Sequence, residues 1–147
     1  MPESQTKSVT ELVADSNGSN KEGSKMTESL IYVATPYSHH SKEMRALRYI
    51  WAVRCITELH LQGKYPYSPI AHWHQAATEF GLAKDHNYWL SYDRLMMRLS
   101  SEIYVATLPG WQESKGIQSD VDYAKAIGKK VTYWEPDFVR NSNERRS

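Results

Sequence analysis

The sequence has little of several features that mark common protein classes. It contains a single cysteine, Cys55, which excludes an internal disulfide framework and any metal site built from several cysteines. No stretch approaches the roughly 18 consecutive apolar residues that a transmembrane helix requires. The formal net charge is only +1, whereas a dedicated nucleic-acid binder concentrates basic residues. Since a secretory signal pattern is also missing, we expect a soluble cytoplasmic protein that binds neither polymeric nucleic acid nor membrane.

Aromatic residues are missing from both ends of the chain. All of its Trp, Tyr and Phe residues fall between Tyr32 and Phe138. Residues 1–29 are polar and turn-rich, and such a composition cannot bury enough apolar surface to offset chain entropy. We therefore expect a disordered extension over residues 1–29, one domain over residues 30–138 and a flexible tail over residues 139–147.

Within this domain, strand patterns alternate with helix patterns. Short β-prone apolar runs predict strands, and apolar residues at spacings of three and four predict helices. The predicted strands cover residues 30–34, 65–69, 102–107 and 130–134. The predicted helices cover residues 41–61, 71–80, 88–99 and 116–127. This alternation predicts an α/β fold: a small three-layer sandwich with a parallel sheet of four to five strands, Rossmann-like or flavodoxin-like.

The loops that follow the first three predicted strands are the expected place for a site. They cover residues 35–38, 68–74 and 108–116, and all are rich in polar, Gly or Pro residues. Ligands of open α/β sheets bind outside the carboxyl ends of the strands. The first two loops supply Thr35, Pro36, Tyr37, Ser38, His72 and His74 as candidate contacts.

The segment from Ser114 to Gly116 opens a predicted helix. Free backbone N–H groups and the positive end of the helix dipole favour an anion there, most naturally a phosphate. Ser114 would add a hydroxyl donor, and Gly116 would let the backbone approach closely. The alternative is that Ser114 is only the N-cap of the helix, which its residue type suits equally well.

Three carboxylates are candidates for chemistry. Asp120 and Asp122 lie in the same predicted helix, but residues two apart point to different faces, so at most one of them faces a ligand. Asp120 follows Ser114 closely enough for both to border one small ligand. Asp93 lies in the preceding helix and faces either the site or the surface, where an arginine would pair with it.

Histidines and aromatic residues complete the candidates. His72 and His74 have no third ligand at a spacing that zinc sites use, so we expect no metal and no other cofactor. One of them is a candidate ligand contact or proton donor. Trp111, in the third loop, and Tyr37, in the first, are candidates to stack on a base.

Four blocks in this order resemble a known family. The blocks are residues 32–38, Asp93 ahead of the strand at 103–107, residues 114–124 and residues 128–131. Together they resemble the nucleoside 2-deoxyribosyltransferase-like superfamily, and within it the small DUF1937-type branch. The resemblance implies cleavage or transfer of an N-glycosidic bond through a carboxylate nucleophile, in a homo-oligomer without cofactor.

The resemblance also implies roles for individual residues. Asp120 stands where the family has its nucleophilic glutamate, and Asp93 matches an aspartate that orients or protonates the substrate. Tyr37 matches a base- or sugar-contacting position. Ser114 stands where branches acting on free nucleosides carry aspartate, which implies a 5′-monophosphate substrate. Because aspartate is one methylene shorter than glutamate, either the backbone compensates for the difference or the domain has lost or changed its chemistry.

The leading hypothesis is therefore an enzyme that acts on a (deoxy)nucleoside 5′-monophosphate. Its predicted catalytic residues are Asp120, Asp93 and Tyr37. Its predicted substrate-binding residues are Thr35, Pro36, Ser38, His72, His74, Trp111, Ser114 and Gly116. A second hypothesis is a non-catalytic nucleotide-binding or sensing module of the same fold. A third is a histidine-dependent hydrolase that uses His72 and His74, with or without a metal.

Overall fold

A computed structural model of the chain describes residues 28–146, with side chains described as far as residue 143. Its centre is one four-stranded parallel sheet in the order β2-β1-β3-β4. The strands are β1 (Leu30–Ala34), β2 (Tyr65–Tyr67), β3 (Glu102–Ala106) and β4 (Lys130–Trp134). Since all four strands run the same way, the loops after β1, β2 and β3 meet at one edge of the sheet.

Helices connect the strands and follow the last one. They are α1 (Lys42–Leu61), α2 (Pro69–Phe80), α3 (His86–Leu99), α4 (Lys115–Ala126) and α5 (Asp137–Arg146). A single 3₁₀ turn, Trp111–Glu113, precedes α4. Among the described residues, no helix is long and apolar enough to cross a membrane.

The helices begin where the sequence offers a capping side chain. Each N-cap residue accepts a hydrogen bond from the backbone N–H three residues later. These residues are Ser41 for α1, Ser68 for α2, Asp85 for α3 and Ser114 for α4. Pro69 opens α2 at a position where its missing N–H costs no hydrogen bond. The loops before α2 and α4 therefore enter their helices in a fixed direction.

Side-chain alternation along the strands divides the core into two clusters. On one face of the sheet, Tyr32 and Ala34 of β1 and Ile103 and Val105 of β3 pack under α3 and α4. On the other face, Ile31 and Val33 of β1 pack against Cys55 and Leu59 of α1. The helix layers on both faces confirm the predicted three-layer α/β sandwich with a parallel sheet of four strands.

The second strand ends earlier than predicted, and the helix after it begins earlier than predicted. The stretch predicted as extended over residues 65–69 pairs in the sheet only over Tyr65–Tyr67, because Ser68 caps a helix that Pro69 opens. Pro66 lies inside this short edge strand, where a residue without an N–H is tolerated. The predicted disordered extension, residues 1–29, lies outside the described part of the chain except for residues 28 and 29.

The segment predicted as a flexible tail forms most of α5. Its first turn follows β4 directly, and the backbone N–H groups of Asp137 and Phe138 donate to the Glu58 carboxylate of α1 at 2.9 and 3.2 Å. The Arg54 guanidinium lies 4.3 Å from the centre of the Phe138 ring. These partners lie about 80 residues earlier in the chain, so the local composition of the tail gave no sign of them.

We expect Glu58→Ala to destabilise the protein by about 1 kcal/mol, because the first turn of α5 loses its capping acceptor. Amide hydrogen exchange at Asp137 and Phe138 measures the effect directly and should become faster. Glu58→Gln is the matched control, since it keeps one carbonyl oxygen as an acceptor. Its exchange rates should fall between those of the wild type and those of Glu58→Ala. Unchanged exchange in Glu58→Ala would show that the carboxylate does not hold α5.

Candidate functional site

A cleft opens at the carboxyl ends of β1, β2 and β3. It encloses about 740 Å³, part of which is open to solvent. The loop after β1, helices α2 and α3, and the start of α4 form its walls. The lining residues are Ala34, Thr35, Tyr37, Ser38, Pro69, Ile70, Trp73, His74, Ala77, Lys84, His86, Trp89, Asp93, Ser114, Gly116 and Asp120. The cleft thus lies where parallel α/β sheets bind their ligands.

Two carboxylates from neighbouring helices face this cleft. Asp93 of α3 is only 8% exposed, and its Oδ1 atom has no hydrogen-bond partner. Asp120 of α4 accepts a hydrogen bond at 3.3 Å from the hydroxyl of Tyr32, which is fully buried in the middle of β1. Of the two aspartates in α4, it is Asp120 that lines the cleft, whereas Asp122 is exposed and accepts from Gln118.

Burial makes both carboxylates hard to ionise. It raises the pKa of Asp93 to about 7. Burial, and then the charge of Asp93, raise the pKa of Asp120 to about 8, against the Tyr32 hydrogen bond and the Arg94 charge, which both lower it. Because two such groups titrate as a pair, we expect the cleft to hold a proton between them near neutral pH. One carboxylate and one carboxylic acid are then available together.

The start of α4 brings Ser114 and Gly116 into the same cleft. Ser114 Oγ accepts a hydrogen bond from the N–H of Ile117 at 3.2 Å, so Ser114 is the N-cap of α4, and it lines the cleft as well. A hydroxyl that accepts one hydrogen bond still has its own proton to donate. A Cβ atom added at Gly116 would meet only Ser114 Oγ, at 3.8 Å. The protein itself therefore leaves the space beside Gly116 unfilled.

Tyr37 and His74 form a second polar group in the cleft wall. The Tyr37 hydroxyl lies 2.7 Å from His74 Nδ1. The His74 ring also stacks on Tyr49 of α1, with ring centres 4.4 Å apart and an angle of 19° between the planes. The loop that carries Tyr37 is fixed to α1, because Arg45 donates to the carbonyl of His39 and Arg48 donates to that of Ser38.

Several buried polar atoms of the lining residues have no partner within the described chain. Besides Asp93 Oδ1, they are Thr35 Oγ1, directly after β1, and Trp73 Nε1, on α2. Buried polar atoms are nearly always hydrogen-bonded in native proteins. Three such atoms around one cleft leave polar positions there that water or a ligand can fill.

Three predicted ligand contacts lie elsewhere. The side chain of Pro36 is fully buried. His72 is exposed on the other face of α2, where its ring lies near those of Tyr67, Trp73 and Tyr92. Trp111 packs on Tyr133 and the core and does not line the cleft. The predictions of Pro36, His72 and Trp111 as contacts therefore do not agree with the cleft geometry.

Helical periodicity reveals the lining residues that sequence analysis missed. Ile70, Trp73 and Ala77 recur at spacings of three and four on α2, and His86 and Trp89 do so on α3 together with Asp93, which the sequence had already indicated. Each set is one face of its helix. His86 Nε2 lies 2.9 Å from the hydroxyl of Ser119, next to Asp120, and so connects α3 to α4. Lys84, in the loop before α3, had no sequence signal at all.

No metal site is evident among residues 28–146, because no three His, Cys, Asp or Glu side chains there group closely enough to hold an ion. His72 and His74 point to opposite faces of α2, which leaves the third hypothesis without its paired histidines. The carboxylates, the helix start and the Tyr37–His74 pair are the polar groups of the cleft that could take part in binding or chemistry.

A comparison with protein-family models gives a match. A family model described as "Domain of unknown function (DUF1937)" matches residues 29–136. The matched range contains all four strands and every lining residue of the cleft. No curated protein matches the chain.

The pKa values of the two carboxylates predict how stability depends on pH. Both lie above the value of an unfolded aspartate, about 3.9, so the folded state binds these protons more tightly. Their contribution to stability is therefore complete below that unfolded pKa and is lost as the pH rises through about 7 and about 8. We expect Asp93→Asn to raise the melting temperature at about pH 8.5 by several degrees, on the order of 2 kcal/mol, and much less at about pH 4.

Thermal unfolding of the wild type and the variant at both pH values checks this expectation. Asp122→Asn is the matched control, because it removes an exposed carboxylate from α4 and should change stability little at either pH. A gain in Asp93→Asn of equal size at both pH values would contradict the raised pKa of Asp93.

Proposed function

The chain belongs to the DUF1937 family, whose description names no activity, and we propose that it cleaves or transfers the N-glycosidic bond of a (deoxy)nucleoside 5′-monophosphate. One observation carries the proposal. Two carboxylates with raised pKa values, Asp93 and Asp120, share a cleft with the N-terminal turn of α4. The resemblance to nucleoside 2-deoxyribosyltransferases supports the same reaction.

A pair of carboxylates that shares one proton suits glycosidic chemistry. The transition state carries positive charge on the sugar ring, which an ionised carboxylate stabilises, while the departing base needs a proton. Following the resemblance, we assign Asp120 as the carboxylate at the anomeric carbon and Asp93 as the acid that protonates the base. Since Asp120 has the higher pKa in the free protein, the shared proton must pass from Asp120 to Asp93 before the bond to the base breaks. The covalent sugar intermediate would then be released by water or by a second base.

The hydrogen bond from Tyr32 supports the assignment of Asp120. It holds Oδ2 of a side chain that is one methylene shorter than the glutamate of the resembling family. A reacting group misplaced by about 1 Å can lose about 100-fold in rate, so a short side chain needs a fixed position. Tyr32 is fully buried in β1, which gives the carboxylate a rigid support.

The start of α4 is the proposed phosphate site. Backbone N–H groups and the helix dipole favour an anion there, and the Ser114 hydroxyl retains a proton to donate. The unfilled space beside Gly116 allows a phosphate oxygen to approach the backbone. An aspartate in place of Ser114 would repel such a group, whereas serine does not.

We expect the purified protein to release free base from 5′-monophosphates and not from the matching nucleosides. In Asp120→Asn, release should fall by at least about three orders of magnitude, because an amide neither attacks nor stabilises the cationic sugar. Stabilisation of the folded protein by the nucleotide should persist in this variant. Chromatography of a panel of nucleosides and monophosphates, with melting curves on the same panel, measures both.

Asp122→Asn is the control for this experiment and should keep full activity, since its carboxylate lies outside the cleft. Full activity of Asp120→Asn would remove Asp120 from the reaction. Nucleotide-induced stabilisation without base release from any compound would instead support the non-catalytic binding module. If the panel yields neither release nor stabilisation, the proposal is wrong.

Gly116→Ala tests the phosphate site separately. The added methyl meets no protein atom closer than 3.8 Å, and alanine in a helix is more stable than glycine by about 0.5–1 kcal/mol. We therefore expect a protein that melts no lower than the wild type but binds 5′-monophosphates at least about tenfold more weakly. Calorimetry with a monophosphate and with its nucleoside provides the comparison, and an equal effect on both ligands would place the phosphate elsewhere.

A further inference from the structure

Three elements of the fold build the Tyr37–His74 pair. Tyr37 follows β1, His74 lies on α2, and Tyr49 of α1 stacks on the imidazole ring. The Tyr37 and His74 rings meet edge to face, with centres 5.6 Å apart and planes at 81°. With the hydroxyl 2.7 Å from Nδ1, the position of each ring is fixed by the other. Such a rigid arrangement suits recognition better than a flexible loop does.

The surroundings keep both members of the pair uncharged near neutral pH. Burial, and then the charges of Lys84 and Arg45, lower the pKa of His74. Burial raises the pKa of Tyr37. A neutral imidazole and a phenol carry two N–H or O–H protons between them, and their shared hydrogen bond uses one. The second proton, on His74 Nε2 or on the Tyr37 oxygen, remains to be donated elsewhere.

The sheet order places this pair across the cleft from the proposed phosphate site. Ser114 and Asp120 follow β3, Tyr37 follows the central strand β1, and His74 lies on the helix after the edge strand β2. A nucleotide with its phosphate at α4 and its anomeric carbon at Asp120 therefore extends its base towards α2. The wall there is largely apolar, with Ile70, Trp73 and Ala77 on the same helix.

We infer that Tyr37 and His74 act as one unit that holds the nucleobase and donates a hydrogen bond to an acceptor on its ring. The acceptor is a carbonyl oxygen or an unprotonated ring nitrogen. This inference rests on the proposed function, because it uses the direction in which the nucleotide lies. An uncharged, half-buried pair beside apolar side chains suits a flat heterocycle and does not suit a phosphate.

Base recognition by this unit makes binding depend on pH. Protonation of His74 removes the acceptor at Nδ1 and places a cation among Lys84 and Arg45, next to Tyr37 and Tyr49. Since the pKa of His74 is lowered from 6.5, protonation of His74 changes affinity only below that pH, whereas the cleft carboxylates titrate at higher pH and the nucleotide phosphate titrates at about pH 6. The part of the pH dependence that belongs to His74 vanishes when the imidazole is replaced.

The test uses calorimetry on Asp120→Asn protein with the four common 2′-deoxynucleoside 5′-monophosphates. Tyr37→Phe and His74→Phe each keep an aromatic ring at the position and remove the hydrogen bond between Tyr37 and His74. Each variant should weaken binding of at least one nucleotide about tenfold. The double variant should lose little more than either single one, because the two groups act as a unit. Each single variant should also abolish preference among bases that differ in their acceptors.

Tyr65→Phe and His60→Gln are the controls, since both alter exposed residues far from the lining of the cleft. They should bind nucleotides as the parent protein does at every pH. In His74→Phe, affinity should fall less at acidic pH than it does in the parent protein, and the remaining fall should follow protonation of the nucleotide phosphate. A merely structural role of His74 would not change the pH profile. Circular dichroism confirms that each variant is folded.

The outcomes separate this inference from the proposed function. If the parent protein binds nucleotides and the Tyr37 and His74 variants bind equally well at every pH, the base lies elsewhere and only the inference fails. Additive losses in the double variant would also overturn the claim of a single unit. If no nucleotide binds to the parent protein or to the wild type, the proposed function fails first.

Discussion

The burial of Asp93 and Asp120 in one cleft is the constraint on which the other features depend. Two carboxyl groups remain there only because α3 and α4 pack on the same face of the sheet and the Tyr32 hydroxyl reaches Asp120 from the central strand. Neither group adds to stability at neutral pH, because each raised pKa represents a cost of ionisation. The apolar clusters on both sheet faces must offset this cost. Such a cost is typical of functional sites and unusual in residues kept for packing.

Hydrogen bonds within the protein hold the other parts of the cleft in place. Two arginines of α1 hold the loop after β1 by its carbonyl groups, and the contact of His86 with Ser119 joins the helices that carry the carboxylates. These links are polar: the two arginine bonds span six and ten residues of the chain, and the contact of His86 with Ser119 spans 33. They hold the loop after β1 and the helices that carry Asp93 and Asp120 in fixed positions.

The fold could be predicted from the sequence because its signals are local. Each strand is a short apolar run, and the helices have clear caps such as Ser41 and Asp85. Topology then placed Ser114, Gly116, Asp93 and Asp120 in one cleft, because parallel strands bring their following loops together. The sequence could not show which face of α2 lines the cleft, because His72 and His74 differ only in the residues that each contacts in the folded protein. Helix α5 could not be predicted either, because the residue that caps its first turn, Glu58, is far away in the chain.

The two edges of the sheet differ in a way that affects association. At one edge, β2 has three residues and includes Pro66, which lacks an N–H, so this edge offers little to an incoming strand. At the other edge, β4 has five residues and no proline within the strand. Unwanted growth of the sheet, as in aggregation of partly unfolded chains, is therefore restricted to β4. Lys130 at its start is the charged residue that opposes such pairing.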